Sequence, residues 1–188
     1  MSKELDTAAQ TLAEWEADEA AVRARRGPLG VIRPDQIVGK SGIEVFDAMF
    51  SGDLPQPFIG ETLDFLPLRM EPGHAIFQGQ PRRAHYNPLG TVHGGWFATL
   101  LDSCVACAVH SALPAGKTYT TVELKINIVR ALTDQVPLVR AEGKIIHLGR
   151  SMGTAEGRLY GHDGKLYAHA STTCFIMDVP AAKPSAAA

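Results

Sequence analysis

Two features of this 188-residue chain have the residue types and spacing that chemistry requires. The run Asn87-Pro88-Leu89-Gly90-Thr91-Val92-His93-Gly94-Gly95 leads straight into an apolar segment, Trp96 to Leu113, which carries a single carboxylate, Asp102. Glycines at a helix start let backbone approach a ligand closely, and the first N–H groups point outward with roughly half a positive charge behind them. That pattern predicts a site for a developing oxyanion, although the same glycine pair also suits a tight turn against a sheet. A lone carboxylate inside an apolar helix costs several kcal/mol unless it is paired, hydrogen-bonded or protonated. Asp102 therefore either performs a task or is satisfied by Ser103 or by a neighbouring strand.

The elements around these residues follow from periodicity. Nearly every turn from Trp96 to Leu113 offers Leu, Val, Ala, Phe or Cys, so this helix lacks a polar face and needs cover on most sides. Asp102 near its middle and His110 near its end speak for a core helix and against a membrane span. Strands are predicted over Thr62 to Met70 and His74 to Arg83, around the turn Glu71-Pro72-Gly73. Tyr119 to Arg130 alternates, with Val122, Leu124, Ile126 and Ile128 on one face and Thr121, Glu123, Lys125 and Asn127 on the other. Leu138 to His147, Ser151 to Tyr160 and Lys165 to Met177 add three strands, the last two joined by Gly161-His162-Asp163-Gly164. Short links make these strands antiparallel neighbours, so the class is α+β, an antiparallel sheet curled around one long central helix.

An N-terminal helical extension and linker is expected over residues 1–57, ahead of a domain over 58–180 and a frayed tail over 181–188. Within the extension, Thr7 to Arg26 carries acids first and arginines last, as a helix dipole favours, and is expected to be solvated, packing weakly through Leu12, Trp15 and Val22. A second helix is predicted from Ser41 to Phe50, closed by Ser51-Gly52.

Composition narrows the partner. A net charge of −2 with no dense Lys/Arg run lacks the footprint of nucleic-acid binding, so a small molecule is expected. The three cysteines and the absence of an apolar leader in residues 1 to 26 point to a reducing cytoplasm. Geometry then adds a constraint. Eight residues of helix separate Gly94 from Asp102, about 12 Å of rise, so one chain cannot bring both to a single reacting carbon. If both act on one substrate, two chains share the site, which predicts a C2 homodimer.

At this point the sequence resembles a known family. Asn87 to Gly95, Asp102 and the strand Thr120-Thr121-Val122-Glu123-Leu124-Lys125-Ile126-Asn127 are together similar to the hotdog-fold acyl-CoA thioesterases of the PaaI-like group, over about residues 58 to 177. The resemblance implies a hotdog fold, a working homodimer, frequent assembly into homotetramers, an acyl-CoA substrate and no metal or bound cofactor. It implies that Gly94 donates its amide to the thioester carbonyl and that Asp102 is nucleophile or general base. Asn87 and His93 would shape the site, and Thr121 would help to position water. The likeness departs at Arg130-Ala131-Leu132, where relatives frequently have Arg-Pro.

Further candidates have competing readings. Arg130, Arg150 and Lys117 are suited to the nucleotide phosphates or to solvated loops. Gly95 and Trp96 lie where an acyl group would enter, and Trp96 and Phe97 suit core packing equally. Arg82-Arg83 is placed to meet CoA or solvent. Cys104-Val-Ala-Cys107 has redox spacing but lies inside the helix, away from the N-terminus that stabilises a thiolate. Cys174 reads as core, and His162 and His169 have no co-ligands for a metal. The leading reading is an acyl-CoA thioester hydrolase. Its rivals are an acyl-thioester dehydratase or hydratase on the same fold, which normally needs a catalytic His beside the acid, and a non-catalytic acyl-CoA binding module.

Overall fold

The computed structural model describes residues 2–180; the tail predicted over 181–188 lies outside them. The long helix α5 (Gly94–Ser111) sits at the centre, with Phe97, Leu100, Leu101, Cys104, Val105, Ala108 and Val109 almost wholly removed from solvent. Six strands surround it: β1 (Phe65–Glu71), β2 (His74–Gly79), β3 (Lys117–Ile128), β4 (Val139–Leu148), β5 (Met152–Gly161) and β6 (Leu166–Asp178). They form one sheet in the order β1-β2-β4-β5-β6-β3, antiparallel throughout. The expected sequence of two strands, one helix and four strands holds, with ends shifted by a few residues.

Close seating of α5 on the sheet needs residues without side chains. A Cβ at Gly143 of β4 would lie 2.9 Å from the Cys104 carbonyl oxygen, so only glycine lets the two backbones approach this far.

Strand β3 departs from the simple alternation read from sequence. Opposite β6, Thr121 pairs with Cys174 and Glu123 with Thr173, leaving Val122 as the extra residue of a β-bulge. A bulge reverses the parity of side chains along a strand. Val122 is thrown outward at 60% exposure, while Thr121 joins Tyr119, Leu124 and Ile126 on the side facing the helix. The Thr172 hydroxyl donates to the Glu123 carbonyl at 2.8 Å and holds the distorted backbone in place.

The extension is attached more firmly than its composition suggests. Helix α1 (Ser2–Arg23) crosses the sheet face that points away from α5. There Arg140 lies over the Trp15 ring, 4.6 Å from its centroid, and donates to Asp18 and to Gln78 at 2.8 Å each. Gln78, fully buried, donates in turn to Glu19 and to the Trp15 carbonyl, so the amide left under the helix is satisfied. After α2 (Pro34–Ile37) the chain reaches α3 (Gly42–Ser51), which begins at Ser41, whose N–H and hydroxyl both donate to Glu44. This helix matches the sequence expectation within a residue. It ends at Gly52 in the left-handed region (φ 89°). A short helix not foreseen in the sequence, α4 (Phe58–Leu63), delays the first strand to Phe65. The extension thus passes from the outer face, around the β1 edge, to the helix side of the sheet, where Val45, Phe46, Met49 and Leu54 form a second apolar cluster.

Candidate active site

Asp102 lies in the middle of α5, partly buried, and accepts a hydrogen bond at 3.0 Å from the Thr121 hydroxyl. The bulge at Val122 makes this contact, because without the parity change Thr121 would face away from the helix. The other carboxylate oxygen makes no hydrogen bond among the described residues. Both side chains open onto a cavity of about 260 Å³ that is otherwise largely apolar. Asp102 is thus held through one oxygen by a strand hydroxyl and lines the cavity with its other oxygen unpaired among the described residues, which fits a carboxylate that acts on something bound there.

The helix start is built differently. The Asn87 carboxamide shapes its own loop: its oxygen accepts from Leu89 N–H at 2.8 Å and its nitrogen donates to the Thr91 hydroxyl at 2.9 Å, around Gly90 at φ 85°. His93 caps α5. Its Nδ1 accepts from Gly95 N–H at 2.9 Å, its carbonyl accepts from Trp96 N–H, and its own N–H donates to the His85 carbonyl at 2.7 Å. The caps occupy the Gly95 and Trp96 amides and leave the Gly94 N–H without a partner among the described residues. That is the amide the motif singles out. His93 orients the loop, and its ring lies a helix half-length away from Asp102.

The remaining candidates separate. Trp96 is a core residue: it is 3% exposed, stacked on His85 at 5.5 Å, and donates from Nε1 to the Leu63 carbonyl. Neither it nor Phe97 lines the cavity that contains Asp102. Arg130 is exposed just past β3, where its backbone N–H meets the Tyr167 carbonyl, at the same end of the sheet as the start of α5. Lys117, ion-paired with Asp178 at 2.6 Å, and exposed Arg150, in the turn between β4 and β5, lie at the opposite end. No single phosphate can meet all three within one chain. Arg82 pairs with Asp64, and Arg83 with Asp134 at 3.2 Å.

The cysteines have no redox geometry. Cys104 donates to the Ala75 and Ala141 carbonyls and burial pushes its thiol well up, while burial pushes the Cys107 thiol to about 12, so both are protonated at neutral pH. Among the described residues no group of His, Cys, Asp and Glu side chains is placed to hold a metal ion, and no helix is long and apolar enough to cross a membrane. Sequence reasoning missed the cavity's outer wall, since Phe46 and Met49 carry no chemical signature.

Comparison with known proteins agrees with this fold. Residues 89–168 match the thioesterase superfamily. A phenylacetic acid degradation-related protein from Ralstonia eutropha JMP134 is 29% identical with a TM-score of 0.64, the likeness covering 69% of this chain and 98% of that one. A mutant of the phenylacetic acid degradation protein PaaI from Thermus thermophilus is 28% identical, with a TM-score of 0.56 over 62% of this chain and 96% of its own. A Streptococcus mutans UA159 protein solved with acetyl CoA bound, 22% identical with a TM-score of 0.56 over 63% of this chain and 92% of its own, shares the fold. No curated protein sequence matches. The chain has the hotdog fold and is similar to the PaaI-like thioesterases, which supports thioester hydrolysis as its general activity.

Proposed function

We propose that this chain hydrolyses acyl-CoA thioesters to free CoA and a carboxylic acid, in a site shared by two copies related by a twofold axis. The observation that carries this reading is the Thr121–Asp102 hydrogen bond at the wall of an apolar cavity, with one carboxylate oxygen left over. The unpartnered Gly94 N–H supplies the second half. Within one chain the two are separated by about 12 Å of helix, and the cavity includes Asp102 but not Gly94. An antiparallel pairing of β3 with its own copy sets the start of one α5 against the middle of the other. It also brings Arg130 of one copy to the Lys117 and Arg150 end of its partner, which assembles a cationic rim for the nucleotide phosphates. The same contacts leave room for two dimers to form a homotetramer.

In this scheme the Gly94 amide holds the thioester carbonyl, contributing about 3–4 kcal/mol as negative charge develops on oxygen. Asp102 takes a proton from water while the water oxygen bonds to the carbonyl carbon, with Thr121 holding the carboxylate in position. The tetrahedral intermediate collapses, the carbon–sulfur bond breaks, and the proton on Asp102 passes to the departing thiolate. The alternative is direct attack by Asp102, giving a mixed anhydride that water then splits. A single turnover in oxygen-18 water that labels Asp102 identifies direct attack, with water opening the anhydride at the aspartyl carbonyl, and hydroxylamine trapping detects an anhydride that water opens at the acyl carbon instead. Neither route requires a metal or bound cofactor.

A dehydratase normally uses a His as its catalytic base beside the acid, whereas His93 is committed to its own loop, its Nδ1 accepting from Gly95 N–H at 2.9 Å. A pure binding module would release no thiol. Thiol release should be measured with phenylacetyl-, benzoyl-, short- and long-chain acyl-CoA. We expect Asp102→Asn to lower kcat by about 10²–10⁴-fold on whichever substrate is turned over. Asparagine at wild-type rate would refute the assignment.

A further inference from the structure

The cavity beside Asp102 takes part of its wall from the N-terminal extension. The Ralstonia relative is matched over 98% of its length by 69% of this chain, so close to a third of this chain, a share the extension matches, lies outside the likeness. Yet Val22 of α1, Leu29 of the following linker, and Phe46 and Met49 of α3 all line the cavity, opposite Asp102, Phe77 and Tyr119. The extension roofs the gap between the β1 edge and α5.

This roof is fixed in place. A Cβ at Gly42 would fall 1.7 Å from the His110 carbonyl oxygen, and Gly42 N–H donates to the Leu113 carbonyl at 2.9 Å. Helix α3 is therefore seated directly on the end of α5, and the Phe46 ring meets His110 edge-on at 5.1 Å. Arg26 is the one cation lining the cavity among the described residues, and it is paired with Glu61 at 3.1 Å. An anionic nucleotide finds no free partner there, whereas a hydrocarbon finds apolar walls.

We infer that the N-terminal extension forms the closed end of the acyl-binding chamber and limits the acyl group to about ten carbons, aromatic or straight. The identity of the ligand rests on the hydrolase reading above; the chamber itself rests on the packing of the extension. The size follows from the volume. A dry apolar cavity of about 150 Å³ holds benzene, or about 25 Å³ per carbon, and about 260 Å³ holds about ten at the same density. Because the wall is packed against the core, a longer chain must displace it rather than extend past it.

The test is a chain-length profile of kcat/KM from acetyl- to palmitoyl-CoA, together with phenylacetyl-CoA, for the full-length protein and three variants. The wild type should peak near octanoyl to decanoyl and fall at least about tenfold by palmitoyl. Met49→Ala should raise the myristoyl-to-octanoyl ratio about threefold or more, and Leu29→Ala, at a residue 39% exposed, gives the same direction should Met49→Ala fail to fold. Val22→Phe, which adds volume from a partly buried site, should lower the decanoyl-to-butyryl ratio about tenfold. Opposite shifts from enlarging and filling the same wall do not arise from general destabilisation. An unchanged profile in the folded variants, or a flat profile in the wild type, overturns the inference. If the wild type hydrolyses nothing in the series, the hydrolase reading falls, and calorimetry with non-hydrolysable thioether analogues decides the chamber. A length-dependent Kd that shifts in the variants sustains it, and a length-independent Kd overturns it.

Discussion

Strand β1 at one edge of the sheet is packed against α1, α3 and α4, whereas β3 at the other edge meets, among the described residues, only β6 and α5 through substantial contact. The bare edge is twelve residues long and exposes Val122 at 60% and Ile128 at 47%, with Val129 just beyond it at 55%. Long, apolar, unpaired edges are what soluble proteins avoid unless another strand is to be added. The chain covers one edge of its sheet with its own extension and leaves the other bare. In the proposed dimer the covered edge confers enclosure and the bare edge completes the chemistry. The split explains why Asp102 and Gly94, eight residues apart on one helix, face different surroundings.

The largest effect should come from separating the two halves chemically. Gly94→Pro removes the free amide but suits the helix, because proline is tolerated at the first helical position and His93 already has the extended backbone that precedes proline (φ −64°, ψ 140°). Alone it should lower kcat about 10²–10³-fold. Unfolded and refolded with an equal amount of Asp102→Asn, it should regain about a quarter of wild-type activity, since half the dimers are mixed and each carries one intact site. No recovery, despite mixing shown by mass spectrometry, would refute a shared site.

Charging the bare edge should follow in size. Val122→Lys with Ile128→Lys places like charges along both copies of the pairing edge without touching the core. Sedimentation should show monomers at micromolar concentration, with activity down about tenfold or more and regained as protein concentration rises. A variant that stays dimeric and active would move the interface elsewhere.

The smallest effect sharpens the covered side. His110, between Phe46 and Tyr119, has its pKa lowered to about 4 by burial, while the unfolded chain titrates near 6.5. The unfolded state therefore binds the extra proton between these values. Stability is complete above about pH 6.5 and falls as pH drops toward 4, by up to about 3 kcal/mol from this group. Urea midpoints from pH 7 to 4 should fall less steeply in His110→Gln; an identical slope would clear His110 of the role.

Much of this was legible from local pattern. The apolar run after His93-Gly94-Gly95 gave the central helix, and period-two segments with short links gave antiparallel strands, because both depend on neighbours within a few residues. Asp102 stood out for the energetic reason that a carboxylate in an apolar helix needs a purpose. The alternation along Tyr119 to Arg130, by contrast, placed Thr121 on the wrong face, since a bulge is decided by pairing with β6 and not by the strand's own residues. Trp96 read as a pocket residue or a core residue with equal ease, and the Leu63 carbonyl and the His85 ring settled it.

What the amino-acid order determined by itself was the inventory: an α+β chain, a glycine-rich helix start, a single acid along the helix, and a spacing too long for one chain to bring both to one carbon. Only the tertiary structure decided which amide stayed free, which oxygen of Asp102 the Thr121 hydroxyl engages, and that Phe46 and Met49, unremarkable in sequence, wall the space beside the acid. The division is physical. Local periodicity is written within a turn or a strand, whereas burial, bulges and cavities arise from residues brought together from distant parts of the chain.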